Sequence, residues 1–485
     1  MDKLYDVIII GSGVVGNAIA REMSRYNLKI GVLEKELDVC NETSARNSGV
    51  LHAGFNNKPG TLMAKFCVEG NQGFDQVAKE LGVPFKRCGK LVVGFNEEDK
   101  QKLIAMKEQG EKNGVKGLEI IGKDKIKEIE PNIDGEFAMW SKTTGILNPF
   151  LLTIALAENA AENGVEYYFA NEVIDINRID EIYDIKTVKD TYKARWVVNA
   201  AGLYSDKISK MLGIDDYTIH PCRGEYFILD EKVGSKLSLP AYPVPNPKEG
   251  GLGIHLTPTI DGNVFIGPSS EYIDERDDYS ATQKIMDLLI KDGGRIFPHI
   301  RRDDFIRNFA GIRPKLASKE EGGYHDFVIE MRDEVPNTIN LVGIESPGLT
   351  SSTPIAKYVV SLLKQKEKLT ENENFNPIRK PIVTFVDKSI EEKEALIKEN
   401  PDYGEVICRC QTITKAEIIE AINNPLGVET LTGIKYRCRA MMGRCQGGYC
   451  ETRIAGLLEE VKHKNREDVI YSREGSNMFV GKVRE

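Results

Sequence analysis

Five of the chain's nine cysteines fall in one short stretch: Cys408, Cys410, Cys438, Cys445 and Cys450. In a reducing compartment such a cluster binds metal or carries electrons more readily than it forms disulfides. Two close pairs stand out, Cys408-Arg-Cys410 and Cys445-Gln-Gly-Gly-Tyr-Cys450, separated by residues 411–444. Structural zinc usually takes C-x₂₋₄-C pairs, so C-x-C is unusual for zinc, yet it is acceptable where two thiolates share one iron of a cluster. Gly447 and Gly448 can expose main-chain N–H groups to thiolates. Lys435, Arg437, Arg439 and Arg444 crowd the same stretch, either as a solvated face or as charges that raise a cluster's potential or steer an acidic partner. The residue types alone leave an iron–sulfur cluster, zinc and no metal open. Cys40, Cys67, Cys88 and Cys222 are scattered and read as ordinary semi-buried thiols.

The second constellation is Gly11-Ser12-Gly13-Val14-Val15-Gly16, a G-x-G-x-x-G directly after an apolar run. Gly11 permits the tight turn, Gly13 lets the backbone approach a pyrophosphate, and Gly16 allows close helix–strand packing. The following helix offers free N–H groups and the positive end of its dipole to phosphates. Glu34 ends the next strand, where a carboxylate can bind ribose hydroxyls. The motif does not separate FAD from NAD. Thr43-Ser44-Ala45-Arg46-Asn47-Ser48-Gly49-Val50-Leu51-His52 is rich in small and hydroxyl residues, the composition of a loop lying against a flat ring system.

A redox site beside such a ring needs a proton acceptor, and a cation if its substrate is anionic. His52 and His255 are the candidate bases, with side chains whose ordinary pKa suits proton transfer near neutrality. Arg313, in AGIRPKL, is the candidate anion clamp, because a guanidinium forks onto carboxylate or phosphate; Lys315 is a weaker second. Arg223 and Tyr226, in RGEYFILD, are read as possible pocket-lining residues.

These groups need a scaffold. The first 35 residues read strand, turn, helix, strand: YDVIIIG, then Ala18 to Tyr26, then Lys29 to Leu33, a βαβ unit. Helical text follows at Asn96 to Asn113 and at Pro149 to Asn163, before the strand EYYFA. ARWVVNAAG is an apolar strand ending in small residues. From Arg223 to Gly267 the text is strand-rich, with Asp261-Gly262 as a hairpin signal. NTINLVGI precedes a Gly/Ser/Thr loop and a helix through Lys364. KQKEKLTENENFNPIRKP reads as a linker. In the cysteine module TKAEIIEAIN predicts a short helix, with Thr414 as N-cap and Glu417 at capping-box spacing.

With 485 residues the chain exceeds one core and predicts two or three domains. The net charge of −9 argues against a broad nucleic-acid surface. No run approaches the roughly 18 apolar residues of a membrane span. The N-terminus lacks the cationic region and cleavage site of a signal peptide, so a cytoplasmic protein is expected, with peripheral membrane association open.

The N-terminal motif, the loop NSGVLHAG, VVNAAGLYSD and GIESPGLTSS resemble the D-amino-acid oxidase superfamily of flavoproteins. KPGTLMAKFCVEGN, FKRCGKLVVGF, GIHLTPTIDGNVFIGP and AGIRPKL extend the likeness over roughly residues 1 to 365, nearest the anaerobic glycerol-3-phosphate dehydrogenase and L-2-hydroxyglutarate oxidase branches. The cysteine pattern is similar to the bacterioferritin-associated ferredoxin domain. The resemblance implies an α/β fold: a Rossmann-like FAD-binding part (about 1–75, 145–215 and 305–365), an antiparallel-sheet α+β substrate part (about 76–144 and 216–304), a linker at 366–402, and a small helical [2Fe–2S] domain at 403–485.

For the site, the resemblance implies His52 as the base beside the flavin and His255 as its rival. FAD contacts are expected from Gly11, Ser12, Gly13, Val15, Gly16, Glu34, Lys35, Thr43, Ser44, Asn47, Ser48, Gly49, Leu51, Val173, Ala201, Gly202, Ser346, Gly348, Leu349 and Thr350. The cluster ligands implied are Cys408, Cys410, Cys445 and Cys450, leaving Cys438 as a neighbour or alternate. The expected activity is oxidation of a small anionic alcohol, sn-glycerol 3-phosphate first. Electrons would pass through FAD and the cluster to a partner subunit. L-2-hydroxyglutarate is the alternative substrate, amine oxidation a third, and a redox relay with no organic substrate the reading from another class.

Overall fold

The computed structural model describes residues 4–245 and 253–481; residues 246–252, inside the expected substrate part, lie outside the described residues. The apolar run Leu4–Ile10 forms an inner strand of an eight-stranded sheet. It pairs in parallel with Thr191–Asn199 on one side and with Ile30–Leu33 on the other, and Ile30–Leu33 pairs in parallel with Glu166–Tyr168. A run without alternation suits a strand buried on both faces, and Val7, Ile8 and Ile9 are almost fully buried. Thr191–Asn199 also takes Val335–Val342 in parallel along its end and the hairpin strand Ile182–Thr187 antiparallel along its start.

Helices Val14–Met23, Leu62–Leu81, Pro149–Glu162 and Gly348–Leu363 cover one face of this sheet. Their apolar stripes meet in a core that includes Ile19, Phe66, Leu152 and Val359. The opposite face packs Ile8, Ile10 and Ile185 against Ile208 and Leu212. The expected βαβ unit therefore forms, and its helix starts at Val14, directly after the glycine turn.

A nine-stranded sheet forms the second layer. Its central pair is His220–Leu229 against Phe305–Lys315, antiparallel, with Cys222 opposite Arg313 and Gly224 opposite Gly311. Asp261 and Gly262 turn His255–Pro258 back onto Val264–Gly267, and Gly262 takes a left-handed φ of 92°, which a residue without Cβ tolerates. Helix Gln283–Ile296 packs Ile285, Met286 and Leu289 against one face of this sheet.

The stretch expected as a linker is held to the body over its first half. Asn27 donates its backbone N–H to Thr370 O, Asn372 donates to Arg25 O, and Arg379 donates to Glu80 O. The helix Ile390–Glu399 that follows buries no residue. A small domain ends the chain: the hairpin Val406–Cys408 and Ile413–Thr414, then helices Lys415–Ile422, Leu431–Cys438 and Glu451–Lys462 around Ile418, Leu431, Ile434 and Leu458. The Thr414–Glu417 capping box forms in both directions.

This domain is bolted to the nucleotide-binding layer. Arg437, fully buried, donates to Asp38 at 2.7 and 3.1 Å and to Glu158 at 3.1 Å, and Arg379 reaches the other oxygen of Glu158 at 2.7 Å. Tyr436 stacks on Phe150 with ring centroids 4.3 Å apart. Among the described residues no helix is long and apolar enough to cross a membrane.

Candidate active site and cysteine centre

A groove runs along the ends of the parallel strands. Gly11 turns there with φ 102°, and a Cβ on it would sit 2.6 Å from Ala200 O. A Cβ on Gly16 would lie 2.0 Å from Gly11 O, so the helix can approach the turn only with glycine at that position. The Glu34 carboxylate accepts from Ser12 N–H at 2.7 Å and from Glu36 N–H at 3.0 Å. Burial pushes this carboxyl up, against the two amides that favour the anion. Gly11, Ser12, Gly13, Glu34, Lys35, Thr43, Ser44, Val173, Ala201 and Gly202 line this end. Lys35 is already paired there with Glu36 and Glu42.

The groove continues through Gly13, Thr43, Ser44, Ala200 and Gly202 into a second pocket. This pocket brings together Val15, Asn47, Ser48, His52, Tyr226, Tyr242, His255, Arg313, Tyr324, Ser346, Gly348 and Leu349. Val14 N–H donates to Ser44 Oγ at 2.9 Å and Asn47 Oδ1 accepts from Gly49 N–H at 2.9 Å, so the loop is fixed by its own small polar side chains. Gly311 backs directly onto this loop: a Cβ there would fall 2.1 Å from Arg46 O.

His52 is positioned by its backbone. Its N–H donates to Thr350 Oγ1 at 3.0 Å, and its carbonyl accepts from Asn71 Nδ2 at 3.1 Å. Burial, aided by the nearby Lys90 charge, lowers its pKa to about 3, so the imidazole is neutral around pH 7. His255 lies flat against Tyr242, ring centroids 3.6 Å apart, with Nδ1 3.0 Å from Gly253 O and Nε2 buried without a hydrogen-bond partner among the described residues. Burial also drives its pKa well below the ordinary range. Arg313 donates to Ser269 O at 3.2 Å and contacts Cys222 Sγ, and among the described residues no carboxylate pairs with it. The charge of Glu345, which lines the same pocket, reaches Arg313, but that carboxylate is ion-paired with Lys315.

At the far end of the chain, Cys408 Sγ lies 3.9 Å from Cys410 Sγ, and Cys410 Sγ lies 3.8 Å from Cys445 Sγ. Cys450 hydrogen-bonds Cys408, and the Met441 N–H serves both of these thiols. A Cβ on Gly443 would lie 2.4 Å from Cys410 Sγ, so this glycine leaves room for the sulfur. The four thiols of Cys408, Cys410, Cys445 and Cys450 thus stand beside one another at one place in the domain. Cys438 turns away and donates to Ile434 O at 3.2 Å.

Residues 6–362 match the FAD dependent oxidoreductase (DAO) family. The chain belongs to that family. Residues 406–460 match the BFD-like [2Fe-2S] binding domain. The chain is similar to a glycerol 3-phosphate dehydrogenase of Caloramator mitchellensis, 41% identical over 99% of this chain and 98% of that protein. It is 31% identical to the human mitochondrial L-2-hydroxyglutarate dehydrogenase over 75% of this chain and 90% of that one. Among solved structures, the L-alpha-glycerophosphate oxidase of Mycoplasma pneumoniae with FAD bound superposes with a TM-score of 0.72 at 29% identity, covering 78% of this chain and 98% of that one. The cofactors are FAD and a [2Fe–2S] cluster.

Both groups fit the residues present. For FAD the fit rests on glycines that admit no Cβ beside the turn and on a groove that joins Glu34 to His52. For the cluster it rests on the four neighbouring thiols, Gly443 and the Met441 amide. Leu51 is fully buried in the core, Thr350 Oγ1 bonds His52 N–H and Val50 O, Gly49 faces a neighbouring cavity, and Gly16 packs against the Gly11 turn. Arg223 does not line the flavoenzyme's pocket, because Glu225, Glu271 and Asp278 surround its guanidinium. Lys315 is no free clamp either: it is fully buried against Glu345, both oxygens at 3.2 Å. Unread in the sequence were Tyr242, Tyr324 and Lys90. Lys90 is fully buried, its Nζ without a hydrogen bond and 3.4 Å from the Tyr242 ring centroid. A lysine directly before the apolar run LVVG was the available signal.

Proposed function

We propose that this flavoenzyme oxidises the secondary alcohol of sn-glycerol 3-phosphate to dihydroxyacetone phosphate and delivers the electrons to a partner protein. The observation that carries the reading is Arg313: a cation without a carboxylate partner, in the same pocket as two neutral histidines. A guanidinium so placed recognises a phosphate or carboxylate through parallel hydrogen bonds. His52, neutral and held by Thr350 and Asn71, accepts the hydroxyl proton as the carbinol carbon is oxidised. His255, stacked on Tyr242 with Nε2 unpartnered, orients the same hydroxyl or the anionic end. Apolar and aromatic walls keep water out and strengthen both interactions. When bound, FAD takes up the electrons released at carbon and the cluster relays them singly.

The likeness to the Caloramator dehydrogenase, which spans the cysteine module as well, supports glycerol 3-phosphate as the substrate. The residues proposed to hold FAD are those of the groove, and those proposed for the cluster are Cys408, Cys410, Cys445 and Cys450. Exit to a partner is supported at the cluster's outer edge, where Cys410 is exposed and Tyr449 is 76% exposed. L-2-hydroxyglutarate is a second reading, since relatives of that activity align over 75% of the chain and Arg313 serves a carboxylate equally well.

Anaerobic mixing of the purified holoenzyme with glycerol 3-phosphate, L-2-hydroxyglutarate and proline, followed by flavin absorbance, tests the proposal. Glycerol 3-phosphate should bleach the flavin fastest. Arg313→Gln should weaken its apparent binding by roughly 2–5 kcal/mol. Faster bleaching by L-2-hydroxyglutarate would transfer the assignment to it, and no bleaching by any of the three would leave the relay reading standing.

A further inference from the structure

A second cavity, of about 250 Å³, lies between the flavin module and the cysteine domain. The segment Ala45–Gly49 separates it from the substrate pocket, so that Arg46, Asn47 and Ser48 face both. Its charges are unbalanced. Arg46, Arg307, Lys435, Arg439 and Arg473 all line it, and Asp261 is the one acid that does so among the described residues. Arg439 is paired with Asp261 and Glu231, and Arg473 with Glu36 and Glu42. Three cations remain.

Among the described residues no carboxylate forms an ion pair with Arg46, Arg307 or Lys435. Lys435 is only 9% exposed, and its nearest acid, Glu451, is engaged by the Tyr471 hydroxyl. Arg46 Nε is buried without a partner, while its guanidinium lies 4.1 Å over the Tyr279 ring centroid. Arg307, exposed at the cavity's mouth, donates to the neutral Gln446 at 3.0 Å. The three come from three parts of the fold: the flavin-side loop, the substrate sheet and the helix Leu431–Cys438. Arg307 lies close enough to repel both Arg46 and Lys435. Holding Arg46 and Lys435 without an ion pair in a half-buried space, with Arg307 beside them, costs stability unless an anion completes the set. A water-filled cavity alone would not call for cations from three separate elements.

We infer that this cavity binds a small doubly charged anion, of the phosphate or dicarboxylate class, distinct from the substrate held at Arg313. Such a ligand touches both the loop that faces the flavin groove and the helix that ends beside the cluster cysteines. Its binding therefore tightens the junction across which electrons pass, and its occupancy is expected to raise the resistance of the docked domain to unfolding.

The test uses the holoenzyme carrying Arg313→Gln, which silences the phosphate site expected in the substrate pocket. Equilibrium dialysis with inorganic phosphate should still find one bound equivalent per chain. Malonate and glycerol 3-phosphate as competitors distinguish a dicarboxylate from a phosphate-ester preference. Adding Lys435→Gln, or separately Arg307→Gln, should weaken phosphate by roughly tenfold or more with flavin and iron content unchanged. Phosphate should also raise the thermal midpoint of the Arg313→Gln holoenzyme but not that of the further variants. Absence of phosphate and malonate binding in the Arg313→Gln holoenzyme would overturn the inference, as would binding indifferent to both Lys435→Gln and Arg307→Gln. Neither outcome depends on which alcohol the enzyme oxidises, so the inference and the proposed activity fail separately.

Discussion

Replacing Arg437 by methionine should release the cysteine domain from the rest of the enzyme. Arg437 is fully buried, makes two short bonds to Asp38 and one to Glu158, and Asp38 is itself fully buried. Methionine fills much of the same space but leaves Asp38 an isolated buried carboxylate and Glu158 with Arg379 alone. Removing one partner of a buried pair costs roughly 3–5 kcal/mol, chiefly because the charge left behind has lost both water and its counter-ion. Across a docking equilibrium this multiplies the undocked fraction by roughly 10²–10⁴. The exposed helix Ile390–Glu399 offers trypsin two lysines, Lys393 and Lys398, before the domain. Cleavage that samples the open form rises with the undocked population, provided reclosing outpaces cutting. Initial tryptic cleavage rates under native conditions should therefore rise by at least about a hundredfold, and Asp38→Asn added to Arg437→Met should recover a large part of the loss. A cleavage rate within about threefold of the parent, or a double variant no better than the single, would refute the view that this network holds the domain.

Gly16→Ala should yield protein without flavin, since its Cβ would fall 2.0 Å from Gly11 O and displace the turn; a full flavin complement in the purified variant would contradict this. His52 has a folded pKa of about 3 against an ordinary 6.5, so the folded state holds fewer protons between those values and stability falls as pH drops from about 6.5 towards 3. Between pH 7 and 5 this one group accounts for about 2 kcal/mol, and His52→Asn should flatten the acid side of the stability profile by that amount while slowing flavin reduction by roughly 10²–10⁴-fold. Cys408→Ser and Cys445→Ser should each strip iron from anaerobically purified protein, whereas Cys438→Ser should retain it, because that thiol is directed at Ile434 O; equal iron loss at Cys438 would redraw the ligand set.

The elements legible in the sequence were those governed by neighbours along the chain. The glycine turn, the Asp261-Gly262 hairpin and the Thr414–Glu417 cap each depend on a few consecutive residues, and each formed. His52, His255 and Arg313 were legible as types and as parts of motifs, although their convergence on one pocket depends on three distant strands and loops. What escaped depends on pairing at long range. Arg223 and Lys315 look like free cations in the sequence, and only the fold supplies Glu271, Asp278 and Glu345 to neutralise them. Arg437 reads there as one of several surface charges beside the cysteines, yet its partners lie 399 and 279 positions away. The Asn-rich stretch before the cysteine module carries the composition of a loose tether, but its asparagines serve as anchors: Asn159 and Asn163 both donate to Asn376 O.

The contact of Gly311 with Arg46 also decides where the substrate pocket can breathe. With a would-be Cβ only 2.1 Å from the Arg46 carbonyl, the seam between the substrate sheet and the flavin-side loop has no slack, and the two move as one wall. The pocket's other boundary is built differently. Tyr324 reaches it from a turn that holds Gly322 and Gly323, both at left-handed φ and both with nothing within 4 Å of a would-be Cβ. Backbone on that side of the pocket is therefore free of the packing that fixes the Gly311 seam.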